Sequence, residues 1–189
     1  MPAALALVRH GETDWNRERR FQGHADVGLN ARGRAAARAL ARAFAGDHVT
    51  ALVASPLRRA LETALVLGAG LGLEPVADER LQEIDVGSWQ GLTREEVQAR
   101  DAAAYGRWLA GEAGWEGGET YDALAARVLP ALYELAGSCS HGVVVVVTHG
   151  GPIRVALRAA GVPPDALGPV ANCAILRLVS RDGNLEPVD

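Results

Sequence analysis

Cysteine is scarce in this sequence: its two copies, Cys139 and Cys173, lie far apart and lack the clustered Cys and His neighbours that zinc ligation would need. That spacing excludes a disulfide framework and a thiolate zinc site, and both read as reduced structural thiols. Lysine is absent altogether, so all 19 basic residues are arginine. Positive charge is in deficit, with 23 acidic residues giving a net charge of -4 and a pI near 5.7. Such a balance argues against nucleic acid or an anionic membrane surface as a partner. No apolar run approaches the roughly 20 residues of a membrane span. Residues 1–8 are apolar, but the run is too short for a signal-peptide core and leads directly into charge. The expected compartment is the cytoplasm. No internal repeat, linker or low-complexity tract interrupts the chain beyond alanine-rich helical stretches.

What is present is ordinary globular material: 49% hydrophobic and 22% charged residues in a chain of 189. That length suits one well-packed domain, 1–189, rather than two small cores. Residues 5–8, 51–54 and 143–147 are apolar runs, the last of them five consecutive valines. Each stops at a polar turn: Arg9-His10-Gly11, Ser55-Pro56 and Thr148-His149-Gly150-Gly151. All-apolar strands of this kind suit a sheet covered on both faces. Between them lie helical patterns. Ala36, Leu40 and Phe44 follow an Asn30 cap, and Leu57, Leu61 and Leu65 follow Ser55 with Pro56 at the first helical position. Leu124, Val128, Leu132 and Leu135 form a third stripe that Pro130 should kink. Residues 175–179 and 185–188, split by Asp182-Gly183-Asn184, read as a terminal hairpin or edge.

The expected fold is therefore α/β, a three-layer sandwich with a mostly parallel sheet flanked by helices. Residues 86–118 depart from the rhythm, with Trp89, Trp108, Trp115, scattered glycine and a capping box at Thr93-Arg94-Glu95-Glu96. They read as a small insertion over the active site, with Arg94, Arg100, Arg107 and the aromatic rings offered toward a substrate, a plain packing role being the equal alternative for the tryptophans.

Ligands of open α/β sheets sit beyond the carboxyl ends of the strands, which is where Arg9-His10 and His149 fall. Gly11, Gly150 and Gly151 remove side chains beside both histidines, so backbone N–H groups and a helix start can approach an anion. Arg59, one turn into a helix that begins at another strand end, faces the same crevice. His24, His48 and His141 read as hydrogen-bonded filler.

Leu7-Val8-Arg9-His10-Gly11-Glu12-Thr13-Asp14-Trp15-Asn16 resembles the signature of the histidine phosphatase superfamily, the phosphoglycerate mutase-like group. In the same order follow Phe21-Gln22-Gly23, Leu29-Asn30, Ser55-Pro56-Leu57-Arg58-Arg59-Ala60, Glu62-Thr63-Ala64, Leu81-Gln82-Glu83-Ile84, Gly118-Glu119-Thr120 and Val147-Thr148-His149-Gly150-Gly151. The resemblance implies that His10 is a nucleophile forming a phosphohistidine, that Arg9, Arg59 and His149 clamp the phosphoryl oxygens, and that Glu83 is the acid and then the base. Glu12 and Asp85 are the alternatives for that last role. It also implies that Asn16, Gln22, Gly23 and Gly150 add neutral phosphate contacts. Neighbouring arginines should depress the His10 pKa and leave a nitrogen free to attack. No metal or other cofactor is expected, since arginine and histidine supply the charge and no carboxylate cluster is in evidence.

Three functions compete: a phosphatase acting on a small phosphorylated metabolite, a cofactor-dependent phosphoglycerate mutase, and a non-catalytic phosphate-binding domain. Mutases of the group continue the acidic motif as Glu-Arg-His-Tyr-Gly, whereas this chain reads Glu83-Ile84-Asp85-Val86-Gly87. The contacts a mutase needs for the glycerate carboxylate are thereby missing, and hydrolysis is favoured. A homo-oligomer is left open.

Overall fold

The structure is a computed structural model that describes residues 4–138, 140–163, 169–181 and 184–188. Cys139 and the turn residues Asp182 and Gly183 lie outside the described residues. Six strands form one sheet: β1 (Ala4–Arg9), β2 (Val49–Ala54), β3 (Val76–Ala77), β4 (Val143–Thr148), β5 (Ile175–Arg181) and β6 (Asn184–Pro187), in the order β3-β2-β4-β1-β5-β6. β3, β2, β4 and β1 run parallel, and β5 and β6 add an antiparallel edge. The sheet is thus mixed, with the terminal hairpin expected from the sequence forming its antiparallel part.

The valine run explains why the sheet has helices on both sides. All six residues of β4 are buried, and alternate side chains enter different cores. Leu5 and Leu7 of β1 join Val144 and Val146 beneath helices α6 (Tyr121–Gly137) and α7 (Gly150–Ala159). After the one-turn helix α1 (Asp14–Arg17) that follows β1 come α2 (Ala31–Leu40) and α3 (Arg58–Leu71), beneath which Ala6 and Val8 join Val145 and Val147. A strand with period-two alternation between two apolar faces cannot tolerate water on either.

Helix stripes differ in detail from the sequence reading. In α2 the buried positions are Gly33, Ala37 and Leu40, with Ala36 exposed. The Asn30 cap is present, its Oδ1 accepting from Gly33 N at 2.8 Å. In α3 the buried stripe is Ala60, Ala64 and Leu67, while Leu65 is 48% exposed. Alanine-rich helices offer several equivalent apolar stripes, and packing against the sheet selects one. Pro56 precedes the helix rather than opening it, because α3 begins at Arg58 and the Ser55 hydroxyl accepts from Leu57 N. α6 runs continuously through Pro130.

Over one edge of the sheet lie α4 (Arg94–Arg100), α5 (Ala102–Leu109) and the short turn Gly87–Trp89. The Thr93 capping box that opens α4 is formed. Trp89 and Trp115 are buried edge to face at 5.5 Å, with Phe21 4.9 Å from Trp89. These rings pack the segment onto the body of the protein.

One backbone contact ties α2 to the loop after β1. A Cβ at Gly33 would stand 2.1 Å from the Glu12 carbonyl oxygen, and one at Gly11 would stand 2.7 Å from the Gly33 oxygen. Both obstacles are main chain and have little room to yield. Gly33→Ala should therefore cost about 1–3 kcal/mol, the range for overpacking, and urea unfolding measures it. A midpoint equal to the parent's would show that this contact can relax.

Candidate active site

Because β1, β2 and β4 are parallel and adjacent, their carboxyl ends bring three polar turns to one edge. Arg9 pairs with Thr148, His10 N donates to Thr148 O at 2.9 Å, and Ser55 N donates to Val147 O at 2.9 Å. α3 and α7 begin just beyond, which delivers Arg59 and the N–H groups of Gly150 and Gly151 to the same place. A cavity of about 760 Å³ opens there, with Arg9, His10, Asn16, Gln22, Arg59 and Glu83 on its wall. Gly23 and Gly150 also line it. His149 is fully buried behind that wall, its ring centroid 5.2 Å from that of His10.

Hydrogen bonds fix the state of each group. His10 Nδ1 lies 2.7 Å from the Gly11 carbonyl. A carbonyl can only accept, so Nδ1 carries the proton and Nε2 keeps its lone pair. Burial, reinforced by Arg59 and then Arg9, pushes the His10 pKa well below the usual value. His149 Nε2 sits 2.7 Å from Ser55 Oγ, an oxygen that already accepts from Leu57 N. We assign the Ser55 hydroxyl hydrogen to Nε2, which places the His149 proton on Nδ1. Burial, then Arg59, likewise depresses His149.

Among the described residues, three buried nitrogens around this edge have no partner: Arg9 Nε, Arg59 Nε and His149 Nδ1. The rest of Arg59 is anchored, with Nη1 donating to Ala25 O at 2.9 Å and Nη2 to Gly23 O at 2.8 Å. Arg9 Nη1 donates to Val170 O. Neither guanidinium has a carboxylate partner among the described residues. Burial lowers the Arg59 pKa to about 10, with Glu83 opposing the shift, so it stays charged at neutral pH. Arg9 is lowered by burial in the same way.

Asn16 and Gln22 are oriented by Thr13. Asn16 Oδ1 accepts from Thr13 N at 3.0 Å and Gln22 Oε1 lies 3.2 Å from Thr13 Oγ1. Both amide oxygens are thus engaged and both NH2 groups are left as donors on the cavity wall. Gly23 contributes a carbonyl that holds Arg59.

Glu83 is held by one oxygen. Oε1 accepts from Ile84 N and from Gly151 N, each at 2.9 Å, the second bond capping α7, whose N-cap residue His149 provides no side-chain cap. Oε2 is the oxygen left for other work. A Cβ at Gly151 would stand 2.3 Å from Glu83 Oε1, so any side chain there would displace this carboxylate. Neither Glu12, which accepts from Asn30 Nδ2 at 2.9 Å, nor Asp85, which caps Gly87 N at 2.9 Å, lines the cavity.

Of the arginines expected at the mouth, Arg94 is present, its guanidinium 5.2 Å from the Trp108 ring centre. Arg100 and Arg107 instead line a separate cavity of about 250 Å³ behind the tryptophans. The sequence reading missed Arg154 and Arg158, one turn apart on α7 and both on the main cavity, and Tyr121, over which Arg158 sits at 5.6 Å. Their i, i+4 spacing directly after the His149 turn was the available signal. It also missed Asn172, whose Nδ2 donates to His10 O at 2.9 Å. No local pattern announces a contact 162 residues away. Of the histidines read as filler, His24 contacts the Glu83 carbonyl at 2.7 Å, and His48 and His141 stack on each other at 5.6 Å. Among the described residues no group of three or more His, Cys, Asp or Glu could hold a metal ion, and no helix is long and apolar enough to cross a membrane.

Fold and site together define an α/β protein with a cationic anion pocket built around two neutral histidines. The chain belongs to the histidine phosphatase superfamily, branch 1, whose family description matches residues 5–188. It is 40% identical to glucosyl-3-phosphoglycerate phosphatase of Mycolicibacterium vanbaalenii, over 94% of this chain and 84% of that protein. It is 36% identical to phosphoserine phosphatase 1 of Hydrogenobacter thermophilus, over 79% of this chain and 72% of the relative. Among solved structures it resembles a mycobacterial glucosyl-3-phosphoglycerate phosphatase complexed with VO3, at a TM-score of 0.88 and 34% identity, covering 98% and 96% of the two chains.

The two depressed histidines make stability depend on pH. In the unfolded chain both imidazoles take up protons below about pH 6.5, whereas in the fold they stay neutral. The unfolded state then binds more protons, so the stability present above that pH is lost as pH falls toward the depressed folded values. The urea midpoint of His149→Gln should drop less than that of the parent between pH 7.5 and 5.5. Equal drops would mean that His149 is not held neutral.

Proposed function

We propose that the protein hydrolyses small phosphate monoesters through a phosphohistidine on His10. The observation that carries this reading is the trio of unpartnered buried nitrogens, Arg9 Nε, Arg59 Nε and His149 Nδ1, around a histidine whose Nε2 is unprotonated. A tetrahedral dianion satisfies those donors and adds to the partial compensation that Glu83 gives the buried Arg59 and the largely enclosed Arg9. His10 Nε2 attacks phosphorus as the bond to the ester oxygen breaks, and Glu83 Oε2 gives its proton to the departing alkoxide. Water then attacks the phosphohistidine, Glu83 takes a proton from it, and inorganic phosphate leaves. Asn16 and Gln22 donate to the phosphoryl oxygens, with Gly23 and Gly150 allowing close approach and the positive end of α7 adding to the field. Charge neutralisation comes from the protein's own side chains, so no step is routed through a metal.

The substrate is read as a small metabolite bearing a second acidic group. Arg94, Arg154 and Arg158 line the outer cavity of a protein whose net charge is -4, and this concentrates cationic charge where the rest of the substrate must lie. The named relatives act on glucosyl-3-phosphoglycerate and phosphoserine, both of which carry a carboxylate. Residues 86–118, as the specificity segment of a single domain, supply Trp108 and Arg94 to that surface. The same acidic net charge supports a small-molecule substrate over nucleic acid.

Hydrolysis is favoured over a mutase by the residues after Glu83, since Ile84 and Val86 stand where the mutase motif Glu-Arg-His-Tyr-Gly carries Arg and Tyr. With excess chelator present, 3-phosphoglycerate, if turned over, should yield glycerate and inorganic phosphate. Interconversion with 2-phosphoglycerate faster than phosphate release, stimulated by 2,3-bisphosphoglycerate, would establish the mutase instead. Glu83→Gln should lower kcat/KM for an alkyl phosphate by about 10²-fold or more, in line with general acid catalysis, and barely alter that for p-nitrophenyl phosphate.

A further inference from the structure

Arg127 of α6 and Glu119, the acidic residue of the Gly118-Glu119-Thr120 motif, have no place in the chemistry just described. They form a half-buried pair, 23% and 16% exposed, on the far side of the segment that carries Glu83. A guanidinium has five N–H donors, and every one of those on Arg127 has an acceptor. Nε and Nη2 bind the two oxygens of Glu119 at 2.7 and 2.8 Å, side on. Nη1 donates to the carbonyls of Arg80 and Gln82 at 2.9 and 2.8 Å, and Nη2 donates to the carbonyl of Glu83 itself at 2.9 Å. Glu119 in turn receives Asp85 N on Oε2, and its own N–H donates to Asp85 O at 2.8 Å.

The consequence is geometric. Carbonyls at 80, 82 and 83 are gripped by one planar group, and the chain at 85 is gripped by its partner, so the backbone on both sides of Glu83 is fixed. Its carboxylate is then set by Ile84 N and Gly151 N on Oε1. A side chain anchored at both ends presents Oε2 in one orientation, and a proton donor works only when so placed. We propose that Arg127, braced by Glu119, is a positioning residue that aims the Glu83 carboxyl at the leaving-group oxygen. This rests on the reading of Glu83 as the acid.

The distinguishing readout is the dependence of kcat/KM on the leaving group, measured over a series from p-nitrophenyl phosphate to glycerol phosphate. Loss of folded or active protein lowers every substrate by the same factor and leaves that dependence unchanged. Misplacement of the acid penalises poor leaving groups selectively. Arg127→Lys keeps the charge but cannot reach five acceptors. It should lower kcat/KM for glycerol phosphate by about 10-fold or more, part of the 10²–10⁴ that a general acid supplies, and that for p-nitrophenyl phosphate by about 2-fold or less. In a Glu83→Gln background, where no proton is left to aim, the same substitution should add almost nothing. Should Arg127→Lys fail a thermal-melt check, Glu119→Gln, which weakens the brace at nearly constant shape, carries the same expectation. A uniform loss across the series with the Glu83→Gln dependence steepened as expected would overturn the positioning role alone. An unchanged dependence in Glu83→Gln would overturn the assignment of Glu83, and this inference with it.

Discussion

Two guanidiniums, Arg59 buried and Arg9 largely enclosed, with no carboxylate hydrogen-bonded to them among the described residues, set the terms for the rest of this structure. Arg59 is 1% exposed and Arg9 is largely enclosed, and each retains an unpartnered Nε. Burying a charge uncompensated is costly, and the fold carries that cost by anchoring the outer nitrogens on backbone carbonyls at 23, 25 and 170. The remaining donors point to what is wanted: an anion with several oxygens. The same two cations, together with burial, hold His10 and His149 neutral. In the proposed reaction this single electrostatic arrangement prepares both the binding of phosphate and the nucleophile.

The sheet makes that arrangement affordable in space. Three parallel strands ending together place Arg9-His10, Ser55 and His149 on one edge, and the helices that follow start there with N–H groups that make no intrahelical bond. One of those groups, on Gly151, is used to hold Glu83, so this carboxylate and the start of α7 stabilise each other. Serine, threonine and asparagine around the pocket set orientation and tautomer: Ser55 for His149, Thr13 for Asn16 and Gln22, Thr63 for the Gly11 N–H at 2.9 Å. Arg127 and Glu119 extend the same logic one layer further out.

Much of this was legible in the sequence because strand signals and helix starts are local. The valine run ending at Thr148, the Asn30 cap and the Thr93 capping box each depend on residues within a few positions of one another. The helix stripes were less legible, since in alanine-rich segments such as 31–40 the sequence offers Ala36 and Ala37 equally and only the neighbouring sheet chooses. Arg154 and Arg158 were recoverable from helical spacing after His149. Asn172 on the His10 carbonyl and Ser55 on His149 were not, because they join positions 162 and 94 residues apart. Arg100 and Arg107 were misplaced for a related reason: the tryptophan cluster turns that part of the insertion away from the main cavity.

The central claim is that His10 attacks through Nε2, because its Nδ1 proton is held by the Gly11 carbonyl. The direct test is rapid quench of the wild-type protein during turnover, followed by alkaline digestion and phosphorus NMR of the phosphopeptide. The account requires an acid-labile, alkali-stable phosphate on Nε2 of His10. Phosphate on Nδ1, on any other residue, or on none while turnover proceeds would contradict it.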